Sequence, residues 1–156
     1  MDSKHETSIK RAVQRLFAKQ RLACLATSGA RQPHTSLVAF AATDDLEAIL
    51  FATAKSSRKY VCLKANDRVS MLIDDRTNRI TDFKKGTAVT VVGRAEELDT
   101  DRGNRYLKLY TKRHPYLEEF VESQQSSLFR IEVATYRLVT RFQQVEELHM
   151  RRRVGH

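Results

Sequence analysis

The chain has 156 residues, 41% of them hydrophobic, which suits one compact domain with a real core and excludes a disordered segment or a string of domains. No run approaches the roughly 18 apolar residues of a membrane helix, and Met1-Asp2-Ser3-Lys4-His5-Glu6 lacks the basic-then-apolar order of a signal peptide, so a soluble, unprocessed, cytoplasmic protein is expected. The formal charge of +9 points to an anionic partner, whether a nucleic acid, an acidic surface or a phosphorylated cofactor, and part of it lies in Arg151-Arg152-Arg153, which reads as a solvated tail.

Ile9, Val13, Leu16 and Phe17 recur at helical spacing after Thr7 or Ser8 as N-cap, which predicts an opening amphipathic helix of about ten residues. Leu22 to Thr27 is a short apolar run ended by Ser28-Gly29, and Pro33 to Ala42 alternates with Ser36, Val38 and Phe40 on one face, so the two read as a β-hairpin. Asp44-Asp45 marks a turn, and Ala48 to Thr53 is a third strand. Ser57 to Asn66 has the composition of a short helix, followed by a strand in which Val69, Met71 and Ile73 share a face. Thr77 to Lys85 is polar and leads to Gly86, which opens a long strand, Thr87 to Glu96, where Gly93 suggests a bulge or bend. One or two helices lie between Thr100 and Glu122, capped by Asp101 or Thr100, with Pro115 starting the second piece. Leu128 to Val133 alternates strictly, and a second apolar segment, Tyr136 to Phe142, closes the pattern.

Six or seven strands with few helices, and no sustained strand-helix-strand rhythm, predict a mainly β protein: a closed antiparallel barrel with flanking helices. Residues 1–156 are expected to form a single domain with a folded core over 7–148 and loose termini. Cys24 and Cys62 sit among apolar neighbours at a spacing that matches neither a disulfide framework nor a zinc site, so buried, inert thiols in a reducing compartment are expected. The five histidines show no ligand spacing, and no metal is expected. His34, beside Pro33, reads as a structural hydrogen-bonding residue, and Tyr106 and Tyr110 as packing residues on a helix.

The chemistry concentrates where strand Ile49 to Thr53 runs through Ala54-Lys55-Ser56 into a helix that starts with Ser57, Arg58 and Lys59. Cations in a first helical turn face the positive end of the helix dipole, which costs roughly 0.3–1 kcal/mol each. A phosphate reverses that sign, because free N–H groups, the hydroxyl of Ser56 or Ser57 and both side-chain charges converge on it. The helix start therefore reads as a prepared phosphate site.

Four segments in order extend this reading. Phe51-Ala52-Thr53-Ala54-Lys55-Ser56-Ser57-Arg58-Lys59, Asn66-Asp67-Arg68-Val69-Ser70-Met71-Leu72, Val91-Val92-Gly93-Arg94-Ala95-Glu96 and Pro33-His34-Thr35-Ser36-Leu37-Val38 resemble corresponding motifs of the pyridoxamine 5′-phosphate oxidase-like family of FMN-binding split barrels. The resemblance implies a split-barrel flavoprotein and homodimer with FMN at two interface sites. Its phosphate would be held by Arg58, Lys59 and Ser57 or Thr53 beside Ala52, and its ring would lie along Ser36, Leu37 and Val38. It implies an oxidoreductase acting on a small substrate, with relatives that bind a deazaflavin or haem instead.

The chain departs from the family's namesake enzymes, which carry an Arg and a Lys on the flavin-facing strand where Ser36 and Ala41 stand here. It also contains no Trp, and the C-terminal substrate-binding segment is unrecognisable, so oxidation of a vitamin B6 phosphate is not the expected activity. No side chain is assigned a catalytic role, since a flavin carries its own redox chemistry. A basic nucleic-acid-binding barrel is the competing class, but the cations are scattered and no aromatic-basic stacking motif accompanies them.

Overall fold

The computed structural model describes residues 2–99 and 104–151. It opens with α1 (Ser3–Lys19), which buries Ile9, Val13, Leu16 and Phe17. The strands β1 (Leu22–Thr27), β2 (His34–Ala42) and β3 (Ala48–Ala54) follow, then α2 (Arg58–Ala65), β4 (Arg68–Asp74), the single turn α3 (Asp82–Lys85) and β5 (Thr87–Glu97). After α4 (Asn104–Arg113), a 3-10 turn (Pro115–Leu117) and α5 (Glu118–Glu122), the chain ends in β6 (Ser126–Thr140) and β7 (Gln144–His149).

The sheet order is β3-β2-β1-β4-β5-β6-β7, and pairing of β3 with β6 closes six of the strands into an antiparallel barrel, with β7 hung outside on β6. Alternation drives closure: Val69, Met71 and Ile73 of β4 and Val89, Val91 and Ala95 of β5 point inward, joined by Phe17, Phe40, Phe51, Phe129 and Tyr136. Phe51 and Phe129 stack with ring centroids 5.4 Å apart. β3 is apolar on both alternations because it is covered twice, by the barrel interior and by a second cluster in which Leu50, Ala52 and Leu128 meet Tyr110 and Val121.

Where β5 meets β6, Val92 faces Thr135 but Gly93 faces Val133, so Ala134 is an extra residue and the pair bulges at the expected glycine. A Cβ on Gly93 would collide with the Glu132 carbonyl oxygen, so the close approach requires glycine.

Four sequence expectations change. The first helix starts at Ser3, capped by Asp2, whose carboxylate accepts from the Lys4 N–H at 3.3 Å, so the cap is neither Thr7 nor Ser8 and residues 3–6 are helical. The Thr7 hydroxyl instead donates back to the Ser3 carbonyl within the helix. β6 runs unbroken for 15 residues where two segments were expected, because the bulge absorbs Ala134 without ending the strand. α3 and β7 were not foreseen: α3 is one polar turn, and only Leu148 is buried along β7. Finally, Cys62 is buried but Cys24 is partly exposed on the outer barrel wall; both are free thiols. The expected caps Thr100 and Asp101, and Arg152 and Arg153 of the tail, lie outside the described residues. No helix among the described residues is long and apolar enough to cross a membrane.

Candidate functional site

The turn from β3 into α2 is built by two hydroxyls. Thr53 is buried at the end of β3, and its Oγ1 lies 2.8 Å from the Oγ of Ser57, the N-cap of α2. The Ser57 Oγ in turn accepts from the Tyr60 N–H at 3.2 Å, while the Ser57 carbonyl accepts from Val61. With those donors used, the N–H groups of Arg58 and Lys59 are the ones left without an intrahelical acceptor at the helix start. No acidic residue occupies the first turn to balance the dipole. Arg58 is exposed, whereas Lys59 is partly buried, and that burial pulls its pKa below the ordinary lysine value. An anion beside the Lys59 ammonium would offset this desolvation.

Across from this turn, β2 offers an open edge. β2 and β3 pair only over Phe40–Ala42 of β2, with Phe40 opposite Phe51. Continued beyond that pair, the same register would set Val38 opposite Thr53, but the pairing with β2 stops at Phe51 while β3 stays paired with β6 on its other side through Ala54, and β2 and β3 part. The Phe40 N–H bonds Arg21 on the β1 side, so strand alternation directs the N–H and C=O of Leu37 and Thr35 into the split. Ser36, Leu37 and Val38 therefore do not share a face. Leu37 is 71% exposed on the outer wall, Val38 is buried inside, and Ser36 is half-buried on the Val38 side with an Oγ that has no partner. A flat ring can touch all three only along the strand edge.

The outer wall beside that edge is apolar. Leu37, Cys24 and Leu72 fall in one row across β2, β1 and β4, with Leu22 and Val92 exposed nearby. For a chain this polar, such a row on a barrel face is conspicuous.

The lower end of the split is closed by α4, whose roles the sequence only half suggested. The Tyr110 hydroxyl donates to the Ala39 carbonyl at 3.2 Å, and His114, one turn on and fully buried, places Nε2 2.7 Å from the Phe40 carbonyl. Arg113 reaches the carbonyl oxygens of Phe17, Ala18 and Gln20 at 2.9–3.1 Å, capping the end of α1. Burial raises the Tyr110 pKa to about 12 and lowers that of His114, so both are neutral at pH 7. The spacing Tyr110-His114 was the available signal, since i and i+4 lie on one helix face.

The geometry thus pairs an anion-ready helix start with an unpaired strand edge. A family model described as pyridoxamine 5′-phosphate oxidase matches residues 9–140, most of the barrel and both walls of the split. The chain belongs to the pyridoxamine 5′-phosphate oxidase family. A Schizosaccharomyces pombe protein named as a pyridoxamine 5′-phosphate oxidase homolog is 31% identical over 119 residues, which cover 70% of this chain and 53% of that protein. A heme-binding protein from Mycobacterium smegmatis superposes with a TM-score of 0.79 at 15% identity, covering 90% of this chain and 57% of that one. A FAD-binding protein from Mesorhizobium loti gives a TM-score of 0.62 at 19% identity, covering 94% of each. This chain spans little more than half the length of the yeast and mycobacterial proteins. At these identities the two solved structures share the family fold with it and nothing finer.

In this family fold the candidate residues fall into two groups. Thr53, Ser57, Arg58 and Lys59 are brought together at the helix start, with Ala52 packed behind them in the second cluster. Ser36, Leu37 and Val38 form the opposite wall. The two walls can bind an elongated ligand with an anionic end and a flat polar-edged end, the helix start taking the first and the strand edge the second.

Proposed function

We propose that this protein binds FMN in the split between β2 and the β3–α2 turn and serves as a flavin-dependent oxidoreductase for a small substrate. The observation that carries the reading is the first turn of α2, where two cations and two uncommitted N–H groups occupy the positive end of a helix dipole with no acid to balance them. The open N–H and C=O edge at Leu37 supplies hydrogen-bonding groups on the facing wall, which suit the polar rim of an isoalloxazine better than an apolar macrocycle.

Each group then has a task. Arg58 and Lys59 neutralise the phosphate, their N–H groups bond its oxygens, and Thr53 orients Ser57 so that the cap holds the turn in shape. The edge of Leu37 aligns the ring, with the backbone of Ser36 and Val38 flanking it along the strand. The flavin, when bound, supplies the hydride and electron chemistry. Val38 and Phe40 exclude water from beneath the edge.

The reading includes a homodimer. The exposed row Leu37-Cys24-Leu72 adjoins the split, so a second copy covering it would bury apolar surface and roof the open site. The absence of the family enzymes' Arg and Lys at Ser36 and Ala41 speaks for a substrate other than a vitamin B6 phosphate.

The visible spectrum of the purified protein, with mass spectrometry of the released cofactor, tests the assignment. Flavin bands and the mass of FMN are expected. A colourless protein that takes up no added FMN removes the reading, and release of haem or a deazaflavin replaces the cofactor while keeping the fold.

A further inference from the structure

The apolar outer wall of the barrel does not end at the row Leu37-Cys24-Leu72. Leu72 also lines a hollow beneath two exposed aromatics, Phe83 of α3 and Phe142 of the turn between β6 and β7, whose ring centroids lie 5.2 Å apart. Ile80, just before α3, is 86% exposed, and Phe83 and Phe142 are 65% and 63% exposed. The two rings touch each other and leave most of their surface to solvent.

The backbone adds to this cost. Arg141 and Phe142 both take left-handed conformations, with φ of 51° and 61°, a region that bulky side chains enter only under strain. The hairpin turn is therefore strained where it holds Phe142 against Phe83. Exposure and strain both cost a lone chain stability, and a partner covering the rings offsets them.

The occupant this surface fits is a second copy of the chain. Leu22, Leu37, Leu72, Ile80, Phe83 and Phe142 together expose roughly 800 Å², more than the largest patch of a typical monomer and about what each partner gives to a standard interface. The patch runs from Leu37, beside the split, through Leu72 to the aromatic end. Its two ends differ in shape: at one, β2 and β3 part and leave an opening, and at the other the turn at Ile80 and Phe83 stands out into solvent. A twofold axis near Leu72 sets the raised end of each copy into the open end of the other. An axis at either end would set like against like and leave both splits uncovered.

We infer that each split is completed in trans: the partner subunit's Phe83, propped by the partner's Phe142, closes over the flavin ring at the Leu37 edge. This rests on the proposal that the split holds FMN. Each of the two sites then draws its phosphate contacts from one chain and the cover of its ring from the other.

Mixed dimers test this. Phe83→Ala leaves the phosphate contacts intact, and the double variant Arg58→Ala/Lys59→Ala leaves Phe83 intact. Copies carrying the two lesions on different affinity tags are co-expressed, and pairs that bear both tags are titrated with FMN by flavin fluorescence. Each variant alone should bind FMN about tenfold or more weakly than wild type. The mixed pair should recover one site of wild-type affinity, because one of its two sites joins an unaltered Arg58-Lys59 turn to an unaltered Phe83. A mixed pair without such a site overturns the inference, since lesions acting within their own chains spoil both sites. Wild-type affinity in F83A overturns it too, as does a wild-type protein that sediments as a monomer with FMN bound. If F83A itself sediments as a monomer, the pairing is repeated with Phe83→Leu, which keeps the apolar contact and removes the ring, and the same outcomes decide. A wild type that binds no FMN overturns the cofactor reading, and the inference with it.

Discussion

His114 makes the fold sensitive to acid in a way that can be measured. Its side chain has no exposure, its Nε2 bonds the Phe40 carbonyl at 2.7 Å, and its Nδ1 has no partner. A ring that donates through Nε2 to a carbonyl leaves Nδ1 bare, so protonation must put a proton and a charge in a buried place beside Arg113 and Arg21. Burial is the main cause of its lowered pKa, the Phe40 carbonyl works against it, and the two arginines add to the lowering. The sign follows from linkage. The unfolded chain takes up this proton near the ordinary value of about 6.5, the native chain only at lower pH, so the contribution is intact above 6.5 and is lost as pH falls toward the native pKa. One proton limits the slope to about 1.4 kcal/mol per pH unit. His114→Ala should cost about 2–4 kcal/mol at pH 8, from a buried carbonyl left unpaired and the space vacated by the ring. His114→Gln keeps a donor but cannot titrate, so urea unfolding between pH 7.5 and 5.5 should show a flatter profile than wild type. A wild-type slope retained in His114→Gln would refute this assignment.

Three further outcomes are expected. Tyr136→Phe removes a hydroxyl that donates to the Leu46 carbonyl at 2.7 Å in a fully buried setting, and should cost about 1–3 kcal/mol by denaturant titration. Arg58→Ala should move two observables in opposite directions: stability without ligand unchanged or higher by a few tenths of a kcal/mol, and FMN affinity lower by about ten- to a hundredfold, as expected for a charge-assisted phosphate contact. Equal changes in both would argue that Arg58 is only a surface residue. Leu37→Asp places a charge in the exposed row and should shift the protein to monomer in analytical ultracentrifugation; a dimer that persists would put the interface elsewhere.

The barrel was legible because its strands carry their burial in alternation. Val69, Met71 and Ile73, or Leu128 to Val133, declare which face is inside, and Gly93 marked the bulge because no larger residue fits against Glu132. What could not be read lacked such a contrast. Ser3 to Glu6 are polar throughout, so nothing but Asp2 announces that α1 begins there, and β7 hides because Leu148 is its one buried residue. At the candidate site the helix start was visible as an electrostatic conflict, with Arg58 and Lys59 at the wrong end of a dipole. The open edge of β2 left no trace in the residues, because it follows from where the β2–β3 pairing stops, at Phe40 and Phe51, while β3 goes on paired with β6. His114 was passed over for a related reason. Its role depends on a carbonyl 74 positions away in the chain.

The most direct test of the account is an equilibrium titration of the purified chain, freed of endogenous ligand, with FMN followed by flavin fluorescence. The account predicts saturable binding of one FMN per chain that is abolished or weakened at least tenfold when Arg58 and Lys59 are both replaced by Ala. Absence of saturable binding, or equal binding by the double variant, would contradict it.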